Sequence, residues 1–262
     1  MKILSIISSG RKKGHTSQIV SLLEKDVNQI VEHNHDFIHF ETIFLADYNI
    51  EHCRGCRACM DYGEEKCPLQ DDIPKIKSKI KEADAVVLAS PVYVGDVNSM
   101  MKALIDRLAY TCHRQEFYDK CAMIIVTTNK TSLKRTIRTI GAATYSWGFK
   151  IIGTKGFKTS SSNDSLEILR HNYSKEISQL ARKLYSAVKN KSYLNPSIIG
   201  LTSFKIQQKY RSNPELSNSI DYEYWKKHGW TDSKRRYYIR IRVSLWKKLL
   251  SRILYSAFLL FI

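Results

Sequence analysis

Five short apolar runs alternate with helical patterns along the first 190 residues, and this alternation restricts the fold more than any other feature. Between the runs, apolar residues recur at helical spacing, as in the stripe that begins at Thr16. The runs lie at 2–8, 37–45, 84–90, 122–127 and 150–155. Strands and helices in this order form right-handed βαβ units around a parallel sheet. The sequence therefore predicts a doubly wound α/β domain over residues 1–190, with a five-stranded parallel sheet.

The loop after the first apolar run has the composition of an anion site. It reads SSGRKKGHTS and precedes a predicted helix, where unpaired N–H groups and the helix dipole favour a negative charge. Ser9, Thr16 and Ser17 add hydroxyl donors, and Arg11 adds a planar cation suited to phosphate. The spacing is neither that of a P-loop nor G-x-G-x-x-G, which disfavours ATP and dinucleotide binding. We expect a phosphate site here; the alternative is an ordinary polar loop that caps a helix.

Four of the six cysteines lie within fifteen residues, at Cys53, Cys56, Cys59 and Cys67. Two successive x2 gaps followed by a distant fourth cysteine are typical of ferredoxin cluster ligands. Tetrahedral zinc sites more often use two separated pairs. Disulfides are rare in a reducing cytoplasm, where we place the chain because its first residues lack the long apolar segment of a signal peptide.

We therefore expect the loop at 52–68 to hold a [4Fe–4S] cluster through Cys53, Cys56, Cys59 and Cys67. Arg54 and Arg57 would offset the charge of the four thiolates. Zinc, redox-active thiols and a loop without any cluster stay open as alternatives. Cys112 and Cys121 are expected to have no ligand role, since a lone cysteine in a loop or strand is usually a small apolar residue.

Two stretches together resemble the flavodoxin-like, NAD(P)H-dependent FMN reductase families. The loop after the first run resembles their G-S-x-R-x-x-G-x-T motif, and SPVYVGDVNSMMKALIDRL from Ser90 resembles their S-P-x-Y-x-x-x…K-x-x-x-D-R signature. The cysteine loop, with Asp71 and Asp72 after it, is similar to that of the iron–sulfur flavoproteins in the superfamily. The resemblance covers residues 1–185 and departs from the first motif at Ser8, Gly10 and His15.

The resemblance implies a flavodoxin-like fold and a set of FMN-binding residues. The FMN phosphate would be held by Ser9, Arg11, His15, Thr16 and Ser17. The isoalloxazine ring would be bordered by Pro91, Val92, Tyr93 and Gly95, with Tyr93 as an aromatic wall; the alternative for Tyr93 is a buried core tyrosine. Small polar residues at the end of the fourth strand would also face the flavin, namely Thr127 and Thr128. Asn129 stands there in place of an expected glycine.

The implied function is that of an oxidoreductase containing FMN and a [4Fe–4S] cluster. It would pass electrons from ferredoxin or NAD(P)H to a small acceptor, as a homodimer or homotetramer in which the cluster of one subunit lies near the flavin of another. No general acid or base is predicted. One alternative is an FMN-only, NAD(P)H-dependent reductase of quinones or nitro compounds. Another is a docking module that has lost its cofactor.

The last 72 residues carry most of the positive charge. Residues 191–262 contain 14 basic and 4 acidic side chains, a net charge of +10 out of +17 for the chain. They predict a helical, aromatic-rich extension, without the motifs of nucleic-acid binding. No run is long enough to cross a bilayer.

The final segment has apolar residues at helical spacing opposite basic ones. The apolar set is Val243, Trp246, Leu250, Ile253, Leu254, Ala257 and Phe261, and the opposite set is Lys247, Lys248, Ser251 and Arg252. One interpretation is a helix lying on an anionic membrane surface, which would make a cytoplasmic protein peripheral to the membrane. The other is that the stripe packs on the domain or across an oligomer interface.

Overall fold

The parallel sheet predicted from the apolar runs is present in a computed structural model, which describes residues 1–159, 164–191, 194–213, 215 and 219–260. Five parallel strands lie in the order β2-β1-β3-β5-β6. Their bounds are β1 Lys2–Ile7, β2 His39–Phe44, β3 Ala85–Tyr93, β5 Cys121–Thr128 and β6 Lys150–Lys158, and a short β4, Asp96–Val97, pairs antiparallel with the end of β3. The flavodoxin-like, doubly wound fold is confirmed.

Helices cover both faces of the sheet, as continuously apolar parallel strands require. One face packs against α1 (His15–His33) and α6 (Leu166–Asn190). The other packs against α3 (Ile73–Glu82), α4 (Ser99–Arg107) and α5 (Leu133–Ser146). Side chains of β1 alternate between the faces: Ile3 and Ile7 join the first core, and Leu4 and Ile6 join the second.

The strand register brings the candidate loops to one edge of the sheet. Ile7, at the end of β1, pairs with Phe44 of β2 and with Ala89 of β3. Pro91 in turn pairs with Thr127 near the end of β5. The segments that follow these strands therefore leave the sheet on the same side, where ligands bind in doubly wound folds. The cysteine loop, which includes the short helix α2 (Ala58–Asp61), follows β2 on that side.

The start of α3 differs in detail from the prediction that Asp71 or Asp72 caps it. Asp72 is the residue before the helix, but its side chain accepts no hydrogen bond from the first turn. Its Oδ2 instead accepts from the N–H of Asn49, at 2.9 Å. Oδ1 of Asp71 accepts from the N–H of Ile73 at 3.2 Å, so the earlier aspartate supplies the helix contact.

The described part of the C-terminal extension contains three helices, α7 (Ile198–Arg211), α8 (Ile220–Lys227) and α9 (Leu245–Leu259). Its own small core is aromatic and consists of Phe204, Trp225, Trp230 and Tyr238, all buried. Tyr118 from the sheet domain packs edge-to-face against Trp230 of this core, with the ring centroids 5.1 Å apart. The extension is thus anchored to the first 190 residues; a boundary between two domains near residue 190 stays a prediction.

Candidate functional site

A cavity of about 240 Å³ lies beyond the carboxyl ends of β1, β3 and β5. Nine of the eleven residues predicted to bind FMN line it: Ser9, Arg11, His15, Thr16, Pro91, Val92, Tyr93, Thr127 and Thr128. Asn129 and Thr159 complete the lining. Three loops that are distant in sequence therefore meet around one space, as the strand order requires.

The start of α1 provides anion-binding groups at one end of this cavity. Gly14 precedes the helix and no side chain caps it, so the N–H groups of the first turn stay available to a ligand. The Nε2 atom of His15 is buried without a hydrogen-bond partner, 4.0 Å from Oδ2 of Asp164. Arg11 is exposed on the preceding loop. A buried ring nitrogen without a partner beside an uncapped helix fits a phosphate oxygen.

Hydrogen bonds between loops hold the cavity in shape. The hydroxyl oxygens of Thr16 and Thr127 lie 2.7 Å apart, which ties the start of α1 to the end of β5. Asn98 caps α4 by accepting from the N–H of Met101 at 3.1 Å, and its Nδ2 donates to the carbonyl of Ser8 at 2.5 Å. These contacts fix the first loop from two sides and hold the walls of the cavity in place.

Tyr93 is not the buried core tyrosine considered as an alternative, because 48% of its surface is exposed and its ring borders the cavity. Val94 and Gly95 form the turn between β3 and β4, with φ of 46° and 84°. Gly95 does not line the cavity. Ser17 does not line it either, since its hydroxyl donates to the carbonyls of Lys12 and Gly14 at 2.6 and 2.8 Å.

Thr159 was missed from the sequence. It follows β6, and its N–H donates to the carbonyl of Thr128 at 2.8 Å. Thr159 comes directly after β6, which pairs with β5. Its position in the sequence could have identified it, because adjacent parallel strands end at the same edge of the sheet.

A second cavity, of about 170 Å³, is lined by all four predicted ligands, Cys53, Cys56, Cys59 and Cys67. All four thiols are free of disulfides; the first two are exposed and the others half-buried. Burial, together with the nearby thiolates of Cys67 and Cys53, raises the pKa of Cys59. Cys112 lies outside the lining, and Cys121 is buried in β5, where burial raises its pKa to about 12.

Within the described residues, no three His, Cys, Asp or Glu side chains are close enough to hold a single metal ion. An iron–sulfur cube carries its own sulfides and spreads its thiolate ligands around four irons, so they need not converge as in a mononuclear site. Four thiols around one cavity, with thiolate repulsion at Cys59, fit that donor set.

Arg107 holds the far side of the cysteine cavity. Its Nη2 lies 3.6 Å from Sγ of Cys67 and 3.1 Å from Oδ1 of Asp71, and its Nη1 bonds Oδ2 of the same carboxylate. The Asp71 side chain is fully buried and also accepts from the N–H of Glu51 at 2.9 Å. The pair therefore joins both ends of the loop and places a cation beside the thiol of Cys67.

The cations predicted from the sequence to offset the thiolates, Arg54 and Arg57, are exposed and already paired with carboxylates. Arg57 bonds Asp61 at 2.9 Å, and Arg54 lies 3.5 Å from Glu51. They line the cavity, but the neighbouring carboxylates already neutralise part of their charge. Arg107, on a helix 40 residues after Cys67, is the cation that contacts a thiol.

Comparisons of the sequence with known proteins point to one family. The profile of the family described as NADPH-dependent FMN reductase matches residues 1–156. An iron–sulfur flavoprotein of Archaeoglobus fulgidus is 30% identical over 231 residues, which cover 87% of this chain and 99% of that protein. An iron–sulfur flavoprotein of Methanocaldococcus jannaschii is 41% identical over 107 residues, which cover 41% of this chain and 51% of that protein.

Solved structures share the fold at low sequence identity. RosB, in a crystal structure with a bound 8-demethyl-8-formylriboflavin-5′-phosphate intermediate, has a TM-score of 0.52 and 18% identity, with 94% of this chain and 92% of RosB covered. An NAD(P)H:quinone oxidoreductase from Methanothermobacter marburgensis has a TM-score of 0.55 and 14% identity, with 70% of this chain and 96% of that chain covered.

Proposed function

Because the chain belongs to the NADPH-dependent FMN reductase family and to its iron–sulfur flavoprotein branch, we propose that it transfers electrons through FMN and a [4Fe–4S] cluster. It is a flavin oxidoreductase of flavodoxin-like fold. When bound, FMN supplies a centre that takes one or two electrons, and the cluster one that passes single electrons. The observation that carries the proposal is that nine of the eleven predicted FMN residues line one cavity and the four cysteines another.

We assign the phosphate to the start of α1. Ser9, Thr16 and the uncapped first turn donate hydrogen bonds, His15 offers its buried Nε2, and Arg11 supplies the charge. The ring then extends toward Pro91–Tyr93 and the end of β5. Ser17 binds through its backbone alone in this assignment, since its hydroxyl is already used by two carbonyls.

We assign the cluster to Cys53, Cys56, Cys59 and Cys67. Arg107 holds a positive charge beside Cys67, and a cation there stabilises thiolates that would otherwise repel one another. Arg114 donates to the carbonyl of Cys59 and so fixes the short helix α2. The chain's own residues thus orient the ligands and balance their charge.

The donor is NAD(P)H or a reduced ferredoxin, and the acceptor is a small molecule that takes two electrons. NAD(P)H gives both electrons as one hydride, whereas ferredoxin gives them in two single steps, which a one-electron centre accommodates. The two cavities share no lining residue. We therefore propose a homodimer or homotetramer that brings the cysteine cavity of one subunit to the flavin cavity of another.

Anaerobic purification with iron, sulfide and flavin analysis tests the proposal. We expect about one FMN and four irons per chain, the stoichiometry of one flavin and one cubane. Cys59→Ala should lose the iron and its absorption while keeping FMN, because the flavin cavity contains no cysteine. Cys112→Ala is the matched control and should keep both.

An FMN-only reductase of quinones or nitro compounds is the alternative. Flavin without iron in oxygen-free protein, and with NAD(P)H oxidation unchanged in Cys59→Ala, would establish it. Protein that binds neither FMN nor iron would overturn both assignments. Comparing NADPH, NADH and chemically reduced ferredoxin as donors in stopped-flow flavin reduction then identifies the donor.

A further inference from the structure

The last helix, α9, is oriented with its polar side toward the protein. Lys247, Lys248, Ser251 and Tyr255 are half-buried on that side, at the spacing of one helical face. The carbonyl of Ser251 lies 3.4 Å from the hydroxyl of Thr202 on α7, and Nζ of Lys247 donates to the carbonyl of Pro196 at 3.1 Å. The prediction that the apolar stripe packs on the domain is therefore wrong for the stripe residues within this helix.

The outward side of α9 is apolar and unpartnered in the described chain. Six large side chains are more than a third exposed on it: Trp246, Leu249, Leu250, Ile253, Leu254 and Phe258. No residue of the helix is fully buried. Phe261, the last member of the predicted stripe, lies outside the described residues. A continuous exposed apolar face of this kind marks a site of interaction with another protein or with a membrane.

Four cations cluster where α9 packs on α7, at the edge of its protein-facing side. Lys205, Arg236, Lys248 and Arg252 surround one small cavity with Leu201 and Ser251. No salt bridge to these four is recorded among the described residues. Burial, together with the charges of Arg236 and Arg252, lowers the pKa of Lys205. Like charges held together around a concave site call for a negatively charged ligand.

The sequence around the helix adds to this charge. Residues 234–252 contain eight basic side chains and no acidic one, in KRRYYIRIRVSLWKKLLSR. Arg236, Arg240 and Arg242 are exposed. Within the described part of the chain, no helix is long and apolar enough to cross a membrane. The combination of an outward apolar face and a basic margin is that of a helix which lies in the plane of a membrane surface.

We propose that α9 docks the protein on an anionic lipid bilayer. Trp246, Leu250 and Ile253 enter the boundary of the acyl chains, and a lipid phosphate occupies the cavity between Lys205, Arg236, Lys248 and Arg252. Apolar burial and attraction to anionic headgroups then act together, as stable interfacial binding requires. This places the redox core at the surface of a membrane, where apolar electron acceptors dissolve.

A second copy of the chain is the weaker occupant. It would cover the apolar face but bring a further net charge of +17, and its own segment 234–252 contains no acidic residue. A bilayer rich in acidic lipids satisfies both features at once. The inference does not rest on the proposed cofactors, because neither cavity contributes a residue to this surface.

The test is sedimentation of the full-length protein with vesicles. We expect binding to vesicles of equal parts phosphatidylcholine and phosphatidylglycerol, little binding to phosphatidylcholine alone, and weakening at high salt. Leu250→Glu should reduce the partition coefficient by at least about tenfold, because it removes buried apolar area. Arg252→Glu should reduce it by at least about fivefold, the effect of losing one cation near the surface.

Matched controls are Phe37→Glu, an exposed aromatic residue elsewhere, and Lys25→Glu, an exposed lysine of α1. Both should bind vesicles as the unaltered protein does. The assignment to α9 would be overturned if Phe37→Glu lowered the partition coefficient as much as Leu250→Glu does. It would also be overturned if Lys25→Glu lowered it as much as Arg252→Glu does.

Tryptophan fluorescence gives a second measurement. The other tryptophans, Trp147, Trp225 and Trp230, are at least 98% buried, so lipids with brominated acyl chains should quench Trp246 alone. Trp246→Phe should abolish the quenching and keep the binding. Absence of quenching, or a dimer that Leu250→Glu dissociates without any vesicle binding, would overturn the proposal.

Discussion

Arg114 of the sheet domain and Asp221 of α8 are joined by a contact of 2.6 Å between Nη1 and Oδ1. The same guanidinium donates to the carbonyl of Cys59 and, at 3.4 Å, to that of Met60. Asp221 of the C-terminal extension therefore positions Arg114, the side chain that binds the backbone of the cysteine loop. The extension is part of the architecture of the second cavity although it contributes no cysteine to it.

Replacing Asp221 should destabilise the protein and loosen the cysteine loop. Asp221→Ala leaves Arg114, whose side chain is only 3% exposed, without its carboxylate. Removing one partner of a buried ion pair costs about 3 kcal/mol or more of unfolding free energy. Urea denaturation measures this cost, and hydrogen exchange at residues 53–67 should accelerate. Glu223→Ala, on the exposed side of the same helix, should change stability by less than about 0.5 kcal/mol; an equal loss in both variants would contradict the link.

The same cluster predicts a pH dependence of stability. The hydrogen bond to Asp221, and a second with Cys112, raise the pKa of His113 to about 9 against the opposing effects of burial and Arg211. Since this pKa lies above the ordinary value of 6.5, the contribution of His113 is complete below pH 6.5 and is lost as the pH rises through about 9.

The difference in unfolding free energy between the unaltered protein and His113→Gln should therefore shrink by about 1 kcal/mol across that window. The full shift would give more, but His113 is about one third exposed and solvent screens its charge. Other titrating groups cancel in the difference between the two proteins. Urea midpoints from about pH 6 to about pH 9 measure it, and a constant difference would show that the histidine is not protonated by folding.

The flavin cavity was largely predictable because backbone topology creates it. Once five strands alternate with helices, the loops after the first, third and fourth predicted strands must meet, and the residues at their ends follow from position in the sequence. Ser17 and Gly95 do not line the cavity, for local reasons that the sequence pattern does not contain. The Ser17 hydroxyl turns back to two carbonyls, and Gly95 serves the turn and not the cavity.

The surroundings of the cysteine loop were not predictable from its own residues. The cations that matter, Arg107 and Arg114, lie far along the chain and reach the loop only through tertiary packing. The sequence also could not predict which face of α9 lies against the protein, because periodicity shows that a helix has two faces but not which one is covered. Contact with α7 fixes the orientation, since the hydroxyl of Thr202 donates to the carbonyl of Ser251 on the polar side of α9.

Ser9 and Ser17 should differ in their effect on FMN affinity although both were predicted to hold the FMN phosphate. Ser9 borders the cavity, and its hydroxyl makes only long contacts, with the N–H and the carbonyl of Arg11 at 3.2 and 3.4 Å. The hydroxyl of Ser17 lies outside the cavity lining and donates to two carbonyls at 2.6 and 2.8 Å. A hydrogen bond to a charged phosphate contributes about 1.5–3 kcal/mol, so Ser9→Ala should weaken FMN binding by about tenfold or more. Ser17→Ala should change it by less than about threefold. Titration of the apoprotein by quenching of flavin fluorescence measures both, and equal losses would place the phosphate deeper, over Ser17.

The turn at the rim of the flavin cavity should be strained, and relieving the strain should stabilise the protein. Val94 has φ of 46°, in the left-handed region that β-branched residues avoid, and its side chain is fully exposed, so no packing within the chain compensates. Together with Gly95 it forms a two-residue turn with both φ values positive, for which Asn-Gly is the favoured sequence.

Val94→Asn should raise the unfolding free energy by about 1 kcal/mol, the lower end of the cost of such a conformation. Val94→Ile keeps the β-branch and should give no gain, which separates relief of strain from any effect of a larger side chain. If the asparagine variant is no more stable than the isoleucine variant in urea, the turn is not strained. If it is more stable but binds FMN more weakly, the valine side chain contacts the ligand, and the strain is the consequence of holding an apolar residue where the ring enters.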